Sequence, residues 1–81
     1  MATSLQIALS ELPADEFATI LSFASARLEM ARLASLGFTP GTRVNMTQNY
    51  GRGPLIVTVR GTRVALGRGE AAQIMVSPVP A

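Results

Sequence analysis

No cysteine, histidine or lysine occurs among these 81 residues, and each absence closes off a class of chemistry. Without cysteine there is no disulfide and no thiolate metal site, which removes the usual staple of small secreted domains. Without histidine, no side chain has an unperturbed pKa near neutrality for acid–base work. A tight ferrous or zinc site also loses its preferred soft and imidazole donors. Aromatic residues are few: one tyrosine and three phenylalanines. They do not interleave with arginine on one strand face, as a base-stacking platform requires. No stretch approaches the roughly 18–20 apolar residues of a membrane-spanning helix. Met1–Ile7 lacks the basic start of a secretion signal, so a cytoplasmic location is expected.

What remains is apolar and arginine-rich. Hydrophobic residues make up 48% of the chain, enough for one small packed domain spanning 1–81, with its core over about 9–76. A chain this short buries only about 60–65% of its unfolded surface. Charge is divided unevenly. Residues 1–40 hold Glu11, Asp15, Glu16 and Glu29 against Arg27 and Arg32, whereas residues 41–81 hold Arg43, Arg52, Arg60, Arg63 and Arg68 against Glu70 alone. An all-arginine set of cations is either a consequence of base composition or a face built for carboxylates or phosphates, which the planar guanidinium fork suits.

The clearest local signal is Leu36-Gly37-Phe38-Thr39-Pro40-Gly41-Thr42-Arg43-Val44. Gly37 suits the left-handed end of a helix, and Phe38 can fold back on the last turn. Pro40-Gly41 suits the middle of a type II turn. The helix before it is expected over Arg27–Leu36, with Met30, Leu33 and Leu36 on the buried side and Glu29 available to pair with Arg32 or Arg27. Strands are expected at Phe17–Phe23, Thr42–Asn49, Leu55–Arg60, Arg63–Leu66 and Ile74–Val76. Leu9 and Leu12 are spaced to pin the N-terminal segment to the core. Asp15, in a tight turn, tolerates positive φ. Gly61-Thr62 reads as a hairpin reversal, Gly67–Ala72 as a helical corner, and Ser77–Ala81 as a loose, polyproline-like tail. About five strands and one short helix between the first two make a mainly β fold, a small barrel of the SH3 type.

These blocks also carry a family resemblance. Arg32-Leu33-x-x-Leu36-Gly37-x-x-Pro40-Gly41-x-x-Val44, then Gly53-Pro54, Val59-Arg60-Gly61, Val64-Ala65-Leu66 and Glu70-Ala71-x-x-Ile74-x-Val76, in that order, resemble the FeoA domain, the ferrous iron transport protein A family. The likeness runs from about Leu9 to Val76. It implies a non-enzymatic, cytoplasmic SH3-like barrel that assists the membrane ferrous iron transporter FeoB by docking on its GTPase domain. The same domain type is fused behind the DNA-binding and metal-sensing parts of DtxR-type repressors. With Met1 at its start and no such parts, this chain is expected to be the stand-alone transport form. Asp15 departs from the family's usual glycine.

Binding, not catalysis, is therefore the expectation. Arg60, Arg63 and Arg68 are the leading partner-facing cluster, because Arg60 and Arg63 flank one hairpin turn. The alternative is a solvated, mutually repelling sheet edge. Tyr50 and Arg52 occupy a loop placed like an SH3 specificity loop, and Leu28 is a further apolar contact candidate. Gly37, Pro40, Gly41 and Gly61 are assigned to turns. No catalytic residue, metal ligand or cofactor is expected, since the carboxylates alone offer weak oxygen ligation unselective for iron. Two other readings stay open: a basic barrel binding nucleic acid through its positive half, and a homo-oligomer paired at a sheet edge.

Overall fold

A computed structural model describes residues 5–24 and 29–79, the side chains of Glu29 and Met30 excepted. The strands are β1 (Ile7–Ala8), β2 (Phe17–Phe23), β3 (Arg43–Gln48), β4 (Leu55–Val59), β5 (Thr62–Leu66) and β6 (Ile74–Val79). Helix α1 (Glu29–Ser35) joins β2 to β3, and α2 (Arg68–Ala71) joins β5 to β6. All six strands form one antiparallel sheet in the order β1-β6-β2-β3-β4-β5. The mainly β, SH3-like expectation holds, with one strand more than the five anticipated. The extra strand, β1, is two residues long, too short to carry a period-2 pattern.

Alternation along each strand decides the core. Ala18 and Ile20, Val44 and Met46, Leu55, Val57 and Val59, Val64 and Leu66, and Ile74 and Val76 are all buried. Leu9 and Leu12, on and just after a 3-10 turn at Leu9–Glu11, close one end with no exposed surface. The register shifts between Ile20 and Ser22 on β2 and between Met46 and Gln48 on β3. Such irregularities bend and twist a ladder, which lets so short a sheet curl around its own core.

The helix ends as its local chemistry dictates. Gly37 takes φ +107, its N–H bonds to the Ala34 carbonyl, and the Phe38 N–H reaches back to Leu33. This is a Schellman ending, with Phe38 and Leu33 both fully buried as its apolar contact. Burial of each such side chain contributes about 1.5–3 kcal/mol. Immediately after it, the Thr42 N–H bonds to the Thr39 carbonyl across Pro40 and Gly41, whose φ is +90, giving the expected type II turn. That turn is tied to β2 by bonds from Gly41 N–H to Ile20 O and from Ile20 N–H to Thr42 O.

Three local expectations change. Leu36 is 37% exposed rather than buried, because the helix stops at Ser35 and Phe38, curling back over Leu33, takes the inward place. The β4–β5 reversal is Arg60-Gly61, not Gly61-Thr62: both have positive φ, 52 and 79, and Val59 pairs directly with Thr62. That is a type I′ turn, which demands left-handed backbone at both central residues. The segment Ser77–Val79 is no loose tail, since β6 continues to Val79 and pairs with Thr19, Ala18 and Phe17 of β2. Pro78 is tolerated there because β1 reaches only to Val76, leaving the far edge of β6 at Pro78 unpaired among the described residues. The expected helix start at Arg27 lies outside the described residues, as do the Leu28 contact and the inward placing of Met30.

Candidate functional site

Arginines occupy two ends of the molecule and one face between them. At one end, the α1 C-terminus meets the β4–β5 hairpin. Val59 closes β4 in the core, and Arg60 follows in left-handed backbone at the turn. Its side chain lies across Gly37: a Cβ added there would stand 3.0 Å from Arg60 Cδ and 3.2 Å from Val59 Cγ2. Between helix end and hairpin runs an open groove of about 470 Å³, with Leu36, Val59, Arg60 and Thr62 among its walls. Among the described residues Arg60 has no hydrogen-bonding or ionic partner, and neither do Arg52 and Arg63.

The expected trio of Arg60, Arg63 and Arg68 is not assembled. Alternation turns Arg63 to the outer face of β5, opposite Thr58 and away from the inward Val64. Arg68 lies past the far end of β5, five residues or roughly 17 Å of strand away. There it is half-buried and donates from Nη2 to Asn49 Oδ1, while its Nη1 is buried without a partner among the described residues. Only Arg60 and Arg63 flank the hairpin turn in sequence; strand length and alternation separate all three.

The opposite end is organised by Asn49, which sequence reasoning missed. Its Nδ2 donates to the carbonyls of Ser10, at 3.1 Å, and Leu12, at 2.9 Å. Its Oδ1 accepts from the Gly51 N–H at 3.0 Å as well as from Arg68. One amide thus ties the N-terminal 3-10 turn, the β3–β4 loop and α2 together. An asparagine two residues before glycine is the signal for such an Asx turn, so the local half of this arrangement was legible. Tyr50 projects from the tied loop at 78% exposure, beside Arg52 and Pro54 around a second shallow concavity.

Two further arginines are engaged. Arg32 of α1 pairs with Glu70 of α2 at 2.5 Å, and Glu70 also accepts the Gly67 N–H at 3.3 Å, half of a helix capping box. Arg43 lies over the Phe17 ring, 5.0 Å from its centroid. Among the described residues, no three of Asp, Glu, His and Cys come together as a metal-holding group. What the arrangement offers is uncommitted guanidinium groups beside exposed apolar surface, which is equipment for recognition.

Comparison with known proteins places this geometry. The FeoA domain family matches residues 7–78. A protein of Methanocaldococcus jannaschii named "Putative Fe(2+) transport protein A" is 40% identical over 47 residues, which cover 58% of this chain and 56% of that one. The chain therefore spans little more than half the length of that curated relative. A crystal structure of an iron uptake regulatory protein, FeoA, superposes with a TM-score of 0.86 at 28% identity, over 93% of this chain and all of that one. The zinc complex of Stenotrophomonas maltophilia FeoA, described as a prokaryotic SH3 domain protein, gives 0.74 at 35% identity, over 93% of this chain and 89% of that one.

Proposed function

This chain belongs to the FeoA domain family, and from that premise we propose that it is a non-enzymatic accessory protein of ferrous iron uptake, acting in the cytoplasm by docking on the GTPase region of the membrane transporter FeoB. No helix among the described residues is long and apolar enough to cross a membrane, so on this reading any association with the bilayer runs through the transporter. Catalysis has no part in the role.

The observation that carries the reading is Arg60: an exposed cation without an internal partner, held in left-handed backbone at the mouth of an open groove. Docking energy at such surfaces comes from a few arginine and apolar contacts and not from total area. Leu36 and Arg60 supply them at the helix end, Arg63 on the outer face of β5, and Tyr50 and Arg52 at the opposite end. Arg68 is assigned a supporting role through Asn49.

Co-purification tests the reading. The protein is expected to be retained by the immobilised cytoplasmic GTPase region of FeoB, and the double charge reversal Arg60→Glu, Arg63→Glu to lose retention at an unchanged melting temperature. Failure of the wild-type protein to be retained, by this region or by whole transporter in detergent, would refute the reading.

A further inference from the structure

Resting on the docking role above, we propose that the groove between the α1 C-terminus and the β4–β5 hairpin receives a partner segment carrying a carboxylate next to an apolar side chain, with Arg60 contacting the carboxylate. The first support is a local conflict. A type I′ turn favours asparagine or glycine at its first central position, yet this chain keeps arginine there at φ +52. The guanidinium gains no bond within the described residues in return. Strained backbone of this kind gathers at ligand sites, where a contact outside the molecule justifies it.

The second support is the inventory of the groove walls. Ser35 donates its hydroxyl to the Arg32 carbonyl, and the Thr39 and Thr42 hydroxyls bond to each other. Those polar side chains are already satisfied. Arg60 is left as the uncommitted charge, beside Thr62 and the exposed lip of Leu36. Packing of the Arg60 stem over Gly37, where any Cβ would crowd it, aligns the cation with the groove.

That composition selects a peptide carboxylate over a phosphate. A phosphate site gathers several donors around three oxygens, often at backbone N–H groups. Here one planar fork stands beside apolar surface, matching a two-oxygen carboxylate and its hydrophobic neighbour. Charge agrees, since the half of the chain bearing the hairpin is strongly positive.

The test uses the whole protein, 15N-labelled, with acetyl-Glu-Leu-Leu-amide as the probe and acetyl-Gln-Leu-Leu-amide as its neutral match. Arg60→Asn is the decisive variant, because asparagine suits the turn and removes only the cation. Leu36→Ser removes the apolar lip and keeps the charge. The acidic peptide is expected to shift the amides of Leu36, Gly37, Gly61 and Thr62. The neutral peptide and the Arg60→Asn variant should each weaken binding about tenfold, as loss of one charge-assisted contact implies. Leu36→Ser should weaken it less. Equal binding of both peptides, or shifts confined to Tyr50–Gly53, would overturn the groove assignment. The GTPase region of FeoB is then titrated alongside. Shifts from it at the β3–β4 loop alone would sink the groove and leave the docking role standing. Acidic-peptide shifts without any from FeoB would uphold the groove and remove its assigned partner.

Discussion

The two ends of this barrel are held in different ways. At the helix end the chain is shaped by backbone: a Schellman ending at Gly37, a type II turn at Pro40-Gly41 and a type I′ turn at Arg60-Gly61. Side chains there are left uncommitted, Arg60 and Leu36 among them. At the loop end a single side chain, Asn49, holds three segments by four hydrogen bonds. A surface shaped by backbone leaves its side chains available for a partner; a surface shaped by side chains has spent them. This is why the Arg60 groove is assigned to the helix end, and why Arg68, despite its charge, is assigned to structure.

Mutations can break or sharpen that contrast. The largest effect is expected from Asn49→Ala, which leaves the Ser10 and Leu12 carbonyls and Arg68 without their partner. A loss of about 2–3 kcal/mol in urea unfolding is anticipated, since orphaned buried groups carry their desolvation cost. A loss below about 0.5 kcal/mol, within the range of an ordinary surface substitution, would show that the loop end is not wired through this amide. Next comes Gly37→Ala, which meets both a φ of +107 and Arg60 Cδ at 3.0 Å. It should cost about 1–2 kcal/mol, or a fall in melting temperature of about 5–10 °C for a domain this size.

Arg60→Asn should move stability the other way. Relief of left-handed strain predicts a gain of up to about 1 kcal/mol, read as a higher denaturation midpoint. A drop would mean that Arg60 is a structural residue, and the helix end would lose its claim. Arg32→Gln breaks the bridge to Glu70, but Arg32 is 54% exposed, so a change of no more than about 0.5 kcal/mol is expected, diminishing in salt. Smallest of all is Tyr50→Ala, a 78% exposed side chain, with no measurable change in unfolding.

Much of the frame was readable in the chain because it follows from rules acting over a few residues. Gly37, Phe38, Pro40 and Gly41 each have one physically sensible place, and each takes it. Alternation of apolar and polar residues along β3, β4 and β5 carries the buried face of each strand for the same reason. Errors arose where a local preference was overruled. Arginine gives no sign that it will adopt positive φ, so local rules favour Gly61-Thr62 over the turn that forms, Arg60-Gly61. Ser77-Pro78-Val79 resembles a free tail until β2 offers it a ladder. Leu36 fits the helical stripe, but the stripe ends one residue before it.

From the order of residues alone came the turns, the buried faces, the absence of soft metal donors and the family resemblance, because each depends on neighbours within a few positions or on composition. Which arginines stand together was a different matter. Arg60, Arg63 and Arg68 lie within nine positions of one another, yet strand length and pleat send them to the helix end, the outer face and the loop end. Whether a guanidinium is free or spent depends on what faces it from distant segments, and only the folded chain brings Asn49 to Arg68 and Gly37 to Arg60.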